Sequence, residues 1–445
     1  MTIASEITRI NNNIASAYTA INTKGGTLPA TQNSANLATA IASIPSGGAP
    51  AEVEEKDVNF YDYDGTRLYS YTTQEFANLS ALPSNPSHTG LTAQGWNWTL
   101  ADAKTFVAKY GFHNIGQMYT TSDGKTRVYV NLNEDTLQPY VGFALESGAT
   151  ATIDWGDGTA QSTVTGAGTD YTQAVRTQHT YSSAGRYVIS ISSSSKIYIS
   201  GNSTASYLLT KNTNNNSNEN RAYNACIEKL ELGNVDFTTY ALCCCQQLKT
   251  ITMPNTITGI LAQMFQYNQA IKCVVFPKSC TQYTTNAFSY CGAEVICINK
   301  ETTALGYQGH RYAYSLKSLA VTEGTASVPS NYLQYCYGIR RFNIPEGTTT
   351  LTTSCYAYCV SMTHITIPAS VTSIQASAFS YWYGAKYFDF TKHTAVPTLA
   401  NANAFSNTPT DCKIVVPDDL YSTWVGASNW STRASQIIKE SDWNA

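Results

Sequence analysis

The first candidates for chemistry are six histidines, the aspartates Asp62, Asp64, Asp154 and Asp157, and twelve cysteines. The histidines (His88, His113, His179, His310, His364 and His393) are scattered, and no two stand at metal-ligand spacing. Asp62 and Asp64 flank a turn and would project the same way, as a carboxylate pair for proton transfer would; turn residues bonding their own backbone fit the same positions. Asp154 and Asp157 could ligate calcium, and a tight Gly-Asp-Gly turn uses the same residues. No Cys-x-x-Cys pair is followed by a second at zinc spacing. Nor is there a nucleophile elbow, a phosphate loop, a dinucleotide fingerprint or a His-Glu-x-x-His helix. The expectation is a protein with no catalytic residues, no metal and no cofactor.

Recognition is better provided for. Arg341, His364 and Tyr387 follow one another at 23 residues, as do Asn343, Thr366 and Asp389. Arginine, tyrosine and histidine are types that binding surfaces favour. Of 31 tyrosines, Tyr267, Tyr290, Tyr335, Tyr358 and Tyr381 recur at 23 residues or about twice that. Rings on so strict a ladder are expected to stack on one another. Tyr337 and Tyr383 stand off its register and are expected to make contact, since tyrosine offers rigid amphipathic area at low entropy cost.

A 23-residue step requires a repeat to carry it. The pattern apolar-x-x-apolar-x-apolar runs from Ile227-Leu230-Leu232 to Asp411-Ile414-Val416, with starts separated by 21, 23, 22, 23, 23, 23, 23 and 26 residues. Nine turns in that register describe a solenoid, in which each turn buries its apolar side against its neighbours. Within a rung alternate side chains share a face, so the third and fifth residues point away from the core. Rungs stack about 4.8 Å apart. The six residues named first would then cluster on turns six to eight, as a contact patch or as a solvated sheet face. Earlier turns carry the blander Thr250 and Thr252, Cys273 and Val275, Val295 and Cys297 at these positions. All twelve cysteines lie after residue 225, and Cys245, Cys336 and Cys359 share one column. Free, buried thiols are expected rather than disulfides.

The stretch from Cys359 through Met362-Thr363-His364-Ile365-Thr366-Ile367-Pro368 to Ala378-Phe379-Ser380-Tyr381 resembles the BspA-type leucine-rich repeat. The resemblance covers roughly residues 223–425 and implies adhesion or surface recognition. Turns four, five and eight lack the proline, which implies irregular loops there.

Ahead of the solenoid, residues 2–24 read as a helix whose Ile3, Ile7, Ile10, Ile14 and Ile21 form a heptad seam. Isoleucine at both seam positions favours three strands, so a homotrimer is expected; a short amphipathic helix packed on its own chain is the alternative. Ser34–Ile44 reads as a second helix. Residues 51–140 show hairpin signals at Asp64-Gly65 and Asp123-Gly124 around a helix over Thr99–Tyr110, a small α+β domain. Residues 141–222 hold Trp155-Gly156-Asp157-Gly158 and His179-Thr180-Tyr181, which resemble a PKD-type immunoglobulin-like sandwich. Thr23–Pro29, Asn59–Thr66 and Leu91–Trp98 resemble tail proteins of bacteriophages and prophages of gut bacteria, which implies an attachment end and a recognition end.

The expected architecture is multidomain and mainly β: a helical anchor over 1–50, an α+β domain over 51–140, an immunoglobulin-like domain over 141–222 and a leucine-rich-repeat solenoid over 223–445. Only 13% of residues are charged, with a net charge of −3 and no basic block, which argues against nucleic acid. No apolar run reaches the length of a membrane span, and the start shows no signal peptide. Together with these features, the resemblance to tail proteins implies a structural protein of a virion tail or baseplate, assembled in the bacterial cytoplasm. Its N-terminus would join other tail proteins, and its solenoid would bind a host-surface glycan or protein. A bacterial surface adhesin and a glycan-degrading tail enzyme are the alternatives.

Overall fold

The computed structural model describes residues 11, 13–15, 17–18, 29–37, 53–202, 205–211 and 219–443. Two compact units divide at Glu54. In the first, Ile14 is helical and half-buried, and the buried Tyr18 donates its hydroxyl to Asn33 O at 2.8 Å. Ile3, Ile7, Ile10 and Ile21, with most of the expected seam, lie outside the described residues.

The second unit begins with a four-stranded sheet of β1 (Val58–Tyr61), β2 (Arg67–Tyr71), β3 (Leu91–Trp96) and β4 (His113–Thr121) in the order β2-β1-β4-β3. β1 and β2 form the expected hairpin, turning on Gly65 at φ +92°. Both aspartates there serve the turn: Asp62 accepts from Tyr63 N–H and Asp64 from Thr66 N–H, each at 2.9 Å. The helix Leu100–Tyr110 crosses between β3 and β4, capped by Thr99 at its start and by left-handed Gly111 at its end. It buries Ala103, Phe106 and Val107 against Phe60, Trp96 and Trp98.

Asp123-Gly124 opens no hairpin. It carries the chain into a different sheet, because β5 (Thr126–Leu132) takes its partners from later in the chain. β5 lies between β10 (Gly185–Ser193) and Ile227–Glu231, antiparallel to both. That six-stranded sheet continues through β7 (Thr150–Asp154) and β8 (Ser162–Thr165) on one side and through Thr250–Ile251 on the other. A second sheet contains β6 (Tyr140–Leu145), β9 (Val175–Gln178), β11 (Ile197–Ile199), Leu209–Thr210 and Val235–Phe237. Both sheets bury residues in one cluster that includes Val128, Phe143, Ile153 and Trp155 and runs on to Ile437.

Ile227–Glu231 is also the solenoid's first rung. Eight more follow at Thr250–Ile251, Cys273–Val275, Val295–Cys297, Ser318–Leu319, Arg341–Phe342, His364–Thr366, Tyr387–Asp389 and Lys413–Val416. Ile437–Lys439 pairs in parallel on the ninth. Every rung's middle apolar residue, from Leu230 to Ile414, is buried. All twelve cysteines are free and buried, as the repeat implies, and burial pushes the thiols of Cys291 and Cys412 up to about 12.

His310 takes the place of a core aromatic. Its ring stacks on Phe288 at 5.1 Å and lies 5.3 Å from Tyr332. His113 is packed likewise against Trp98 and Phe106. Burial pushes both imidazoles from 6.5 down to about 3. As pH falls through about 6.5, the unfolded chain protonates these histidines and the folded chain does not. Their contribution to stability is full above that pH. It declines towards pH 3, by up to about 1.4 kcal/mol per pH unit for each. Urea unfolding at pH 7 and pH 5 is expected to show the loss, and His310→Phe should make it shallower.

Candidate functional site

Alternation along each rung sends two side chains away from the solenoid core, and their fate differs from turn to turn. On the second rung, Thr252 is buried and accepts Leu232 N–H through Oγ1 at 2.7 Å. On the third and fourth, Cys273, Val275, Val295 and Cys297 pack against Tyr61 of β1 and Met118 of β4. Ala320, on the fifth, joins the α+β core with Trp98 and Phe112. The four-stranded sheet thus covers the outward face of turns three to five. These residues looked bland in the sequence because they are a buried interface.

Polar groups fix the seat. Asn97 Nδ2 donates to Phe276 O at 3.2 Å and Cys297 O at 2.9 Å, while its Oδ1 accepts Gly116 N–H at 2.9 Å. Trp98 Nε1 donates to Ile298 O at 2.7 Å. Lys300 pairs with Asp102, and Lys109 with Glu323, each at 2.5 Å. Gly116 permits the close approach: a Cβ there would stand 2.5 Å from Val275 Cγ2.

The cover ends at the sixth rung. Arg341 lies over the Phe112 ring at 5.5 Å and reaches Asp57 at 3.4 Å. Beyond it, a cleft of about 310 Å³ opens between Lys109–Phe112 and the rungs of turns six and seven. Arg340, Arg341, Asn343, His364, Thr366 and Lys392 are among its lining residues. Four of the six residues expected as a contact patch therefore meet in one cleft.

Their states differ. Asn343 is buried, donating through Nδ2 to Val321 O and accepting Val321 N–H through Oδ1, each at 2.8 Å, so it braces the rung. His364 and Thr366 are exposed. Tyr387 stacks on His364 at 5.1 Å and 14°, and Trp443 lies 5.1 Å from Tyr387, tilted by 47°. Thr366 donates to Asp389 at 3.1 Å. Partial burial holds His364 below 6.5, helped by the charges of Arg341 and Lys386 and opposed by Asp389.

Tyr337 and Tyr383 belong to another column. Tyr267, Tyr290, Tyr312, Tyr335, Tyr358 and Tyr381 stack continuously, at 5.1, 4.4, 4.6, 4.5 and 4.1 Å. Tyr312, one residue short of the period, was absent from the ladder read in the sequence. Tyr337 and Tyr383 stand edge-on to ladder rings at 6.2 and 6.1 Å and remain 41% and 60% exposed. They are open to contact but do not line the cleft.

Among the described residues no group of His, Cys, Asp or Glu is arranged to hold a metal ion. Asp157 accepts from Thr159 and lies 2.7 Å from His179 Nε2, which holds its carboxyl down at about 2. Asp154 accepts from Gly156 N–H at 3.0 Å. Both carboxylates serve their turn.

Parallel rungs, a continuous apolar core and stacked columns define residues 227–439 as a leucine-rich-repeat solenoid of about nine turns. The family model described as the BspA type leucine rich repeat region matches residues 200–295 and 284–411, in six copies. The chain carries BspA-type leucine-rich repeats. Among solved structures, a leucine-rich repeat protein from Bacteroides ovatus is 10% identical over 48% of this chain and 84% of that one, with a TM-score of 0.22. The pneumococcal vaccine antigen PcpA is 12% identical over 48% and 68%, with a TM-score of 0.31. A leucine rich cell surface protein from Faecalibacterium prausnitzii is 18% identical over 51% and 64%, with a TM-score of 0.28. No curated protein matches the chain.

Two outcomes test this geometry. Gly116→Ala should lower stability by roughly 1–3 kcal/mol through overpacking against Val275; an unchanged urea midpoint would contradict the close seat. By NMR titration, His364 should deprotonate below pH 6.5, and its pKa should rise in Arg341→Ala and again in Lys386→Ala.

Proposed function

We propose that the chain is a recognition protein whose solenoid binds a cell-surface ligand, and that it works as a bacterial surface adhesin. The observation carrying this is the division of the outward face. Where the protein covers that face itself, the side chains are Cys, Val and Ala, with one small polar residue, Ser318, satisfied by Asn114 of β4 at 2.7 Å. Where the cover stops, they become Arg341, His364, Thr366, Tyr387 and Asp389 beside an open cleft. An abrupt change to aromatic and charged types on a rigid scaffold is what a contact surface requires. The BspA-type match supports the adhesive setting. Tyr337 and Tyr383 would add a second, lateral contact.

Binding here needs no turnover. Glu346 is the only carboxylate among the described residues lining the cleft, whereas glycoside hydrolysis ordinarily uses a pair. No helix of the described residues is long and apolar enough to cross a membrane.

A receptor-binding protein of a phage tail or baseplate is the second reading, favoured by the resemblance of Asn59–Thr66 and Leu91–Trp98 to tail proteins. In that setting Ile3, Ile7, Ile10, Ile14 and Ile21 would join three copies at the particle. Residues 141–222 would act as a PKD-type spacer, a reading supported by Trp155 stacking on His179 at 4.6 Å and 10°.

Labelled protein applied to panels of bacterial and epithelial cells should bind at least one of them. The triple variant Arg341→Ala/His364→Ala/Tyr387→Ala should lose at least tenfold in affinity with an unchanged melting temperature. Undiminished binding would remove the outward face from the reading. Antibody against the chain separates the settings: label on intact producing cells supports the adhesin, and label on purified tail particles the phage protein.

A further inference from the structure

The second residue of each repeat, next to its first apolar position, forms a column of its own. From the first turn it runs Glu228, Lys249, Lys272, Glu294, Lys317, Arg340, Thr363 and Lys386, in register with the paired strands. Its first five members all pair: Lys249 with Glu228 at 3.1 Å, and Glu294 with both Lys272 at 2.7 Å and Lys317 at 2.5 Å. After Glu294 the column holds no further acid, yet the cations continue.

That break falls beside the cleft. Its lining carries four cations, Lys109, Arg340, Arg341 and Lys392, against the single carboxylate of Glu346. Lys109 and Arg341 are matched by Glu323 and Asp57. Among the described residues, no carboxylate lies within ion-pair distance of Arg340, Lys386 or Lys392. Lone surface cations are ordinary. Here Arg340 and Lys392 line one cleft and Lys386 stands two turns along the column from Arg340, in a chain that is 13% charged, net negative, and otherwise pairs the same column closely. The rings of His364, Tyr387 and Trp443 run across the adjoining face.

We propose that this site binds an acidic polysaccharide: Arg340, Lys386 and Lys392 hold its carboxylate or sulfate groups, and its sugar rings lie along His364, Tyr387 and Trp443. Guanidinium and ammonium groups are the natural partners of such anions; the edges of the stacked His364 and Tyr387 rings and the exposed ring of Trp443 offer apolar area to sugars. Single-stranded nucleic acid also combines anions with stacking. Asp389 and Glu346 favour the polysaccharide, because carboxylates accept from sugar hydroxyls, which a polysaccharide offers between its anions and single-stranded DNA does not. The proposal rests on the recognition reading and gives that site a ligand class.

The full chain is tested by biolayer interferometry on immobilised hyaluronan (carboxylate), chondroitin sulfate (carboxylate and sulfate), neutral dextran and poly(dT). At least one acidic polysaccharide should bind ten times more tightly than dextran, and binding should weaken as salt rises. Hyaluronan binding would assign the carboxylate as sufficient, and binding of chondroitin sulfate alone would assign the sulfate. Arg340→Ala/Lys386→Ala/Lys392→Ala, all exposed positions, should lose at least tenfold with an unaltered melting temperature. Equal binding to dextran, tighter binding to poly(dT), or an unaffected variant overturns the proposal. If that variant still binds cells while Arg341→Ala/His364→Ala/Tyr387→Ala does not, only the ligand class falls. If neither variant alters cell binding, the recognition reading falls with it.

Discussion

Strand alternation gives each rung of a solenoid one buried face and one outward face, and an apolar outward face must be covered by something. The protein covers turns three to five with its own four-stranded sheet, and the amide of Asn97 secures the contact by joining Phe276 O, Cys297 O and Gly116 N–H at once. Most of the remaining geometry follows from that seat. It buries Cys273 to Cys297, places Phe112 beneath Arg341 and makes the edge of the α+β domain one wall of the cleft. It also leaves turns six to eight as the stretch where outward side chains meet solvent.

The solenoid was legible because a repeat states the same constraint nine times. One apolar column can be misread, but nine in register cannot, and the buried thiols were readable from the same columns. The helix over Thr99–Tyr110 and the Asp64-Gly65 hairpin were legible from local signals, a cap and a turn. The cleft was half legible: alternation named Arg341, His364 and Thr366, but Lys109, Phe112 and Lys392 join them only through contacts more than two hundred residues apart or through a loop. One signal was present and passed over. Cys273, Val275, Val295 and Cys297 are too apolar for an open sheet face, so their composition already asked for a cover. The pairing of β5 with Ile227–Glu231 left no such trace, because either edge of a short apolar strand reads alike.

The tyrosine ladder shows a local conflict resolved by repetition. All six ladder tyrosines hold left-handed backbone, with φ between 57° and 65°, which costs a non-glycine residue about 1–2 kcal/mol. The conformation turns each amide towards the next turn, so that Tyr335 N–H reaches Ala357 O at 3.0 Å and Tyr358 N–H reaches Ser380 O at 2.8 Å. Ring stacking accompanies each of these bonds. A residue awkward in isolation becomes favourable when its neighbours one turn away share the same awkwardness.

The seat of the four-stranded sheet also sets an order of events during synthesis. Met118 leaves the ribosome 155 residues before Cys273, the first rung residue it packs against. At roughly 5–20 residues per second, its apolar side therefore waits on the order of ten seconds or more for its partner. The α+β domain must hold its own shape through that interval on the strength of the Phe60, Trp96 and Phe106 core. Its other face stays uncovered until the third and fourth turns have coiled. The nascent chain is most vulnerable to aggregation in that interval, before the surface that will recognise anything has been made.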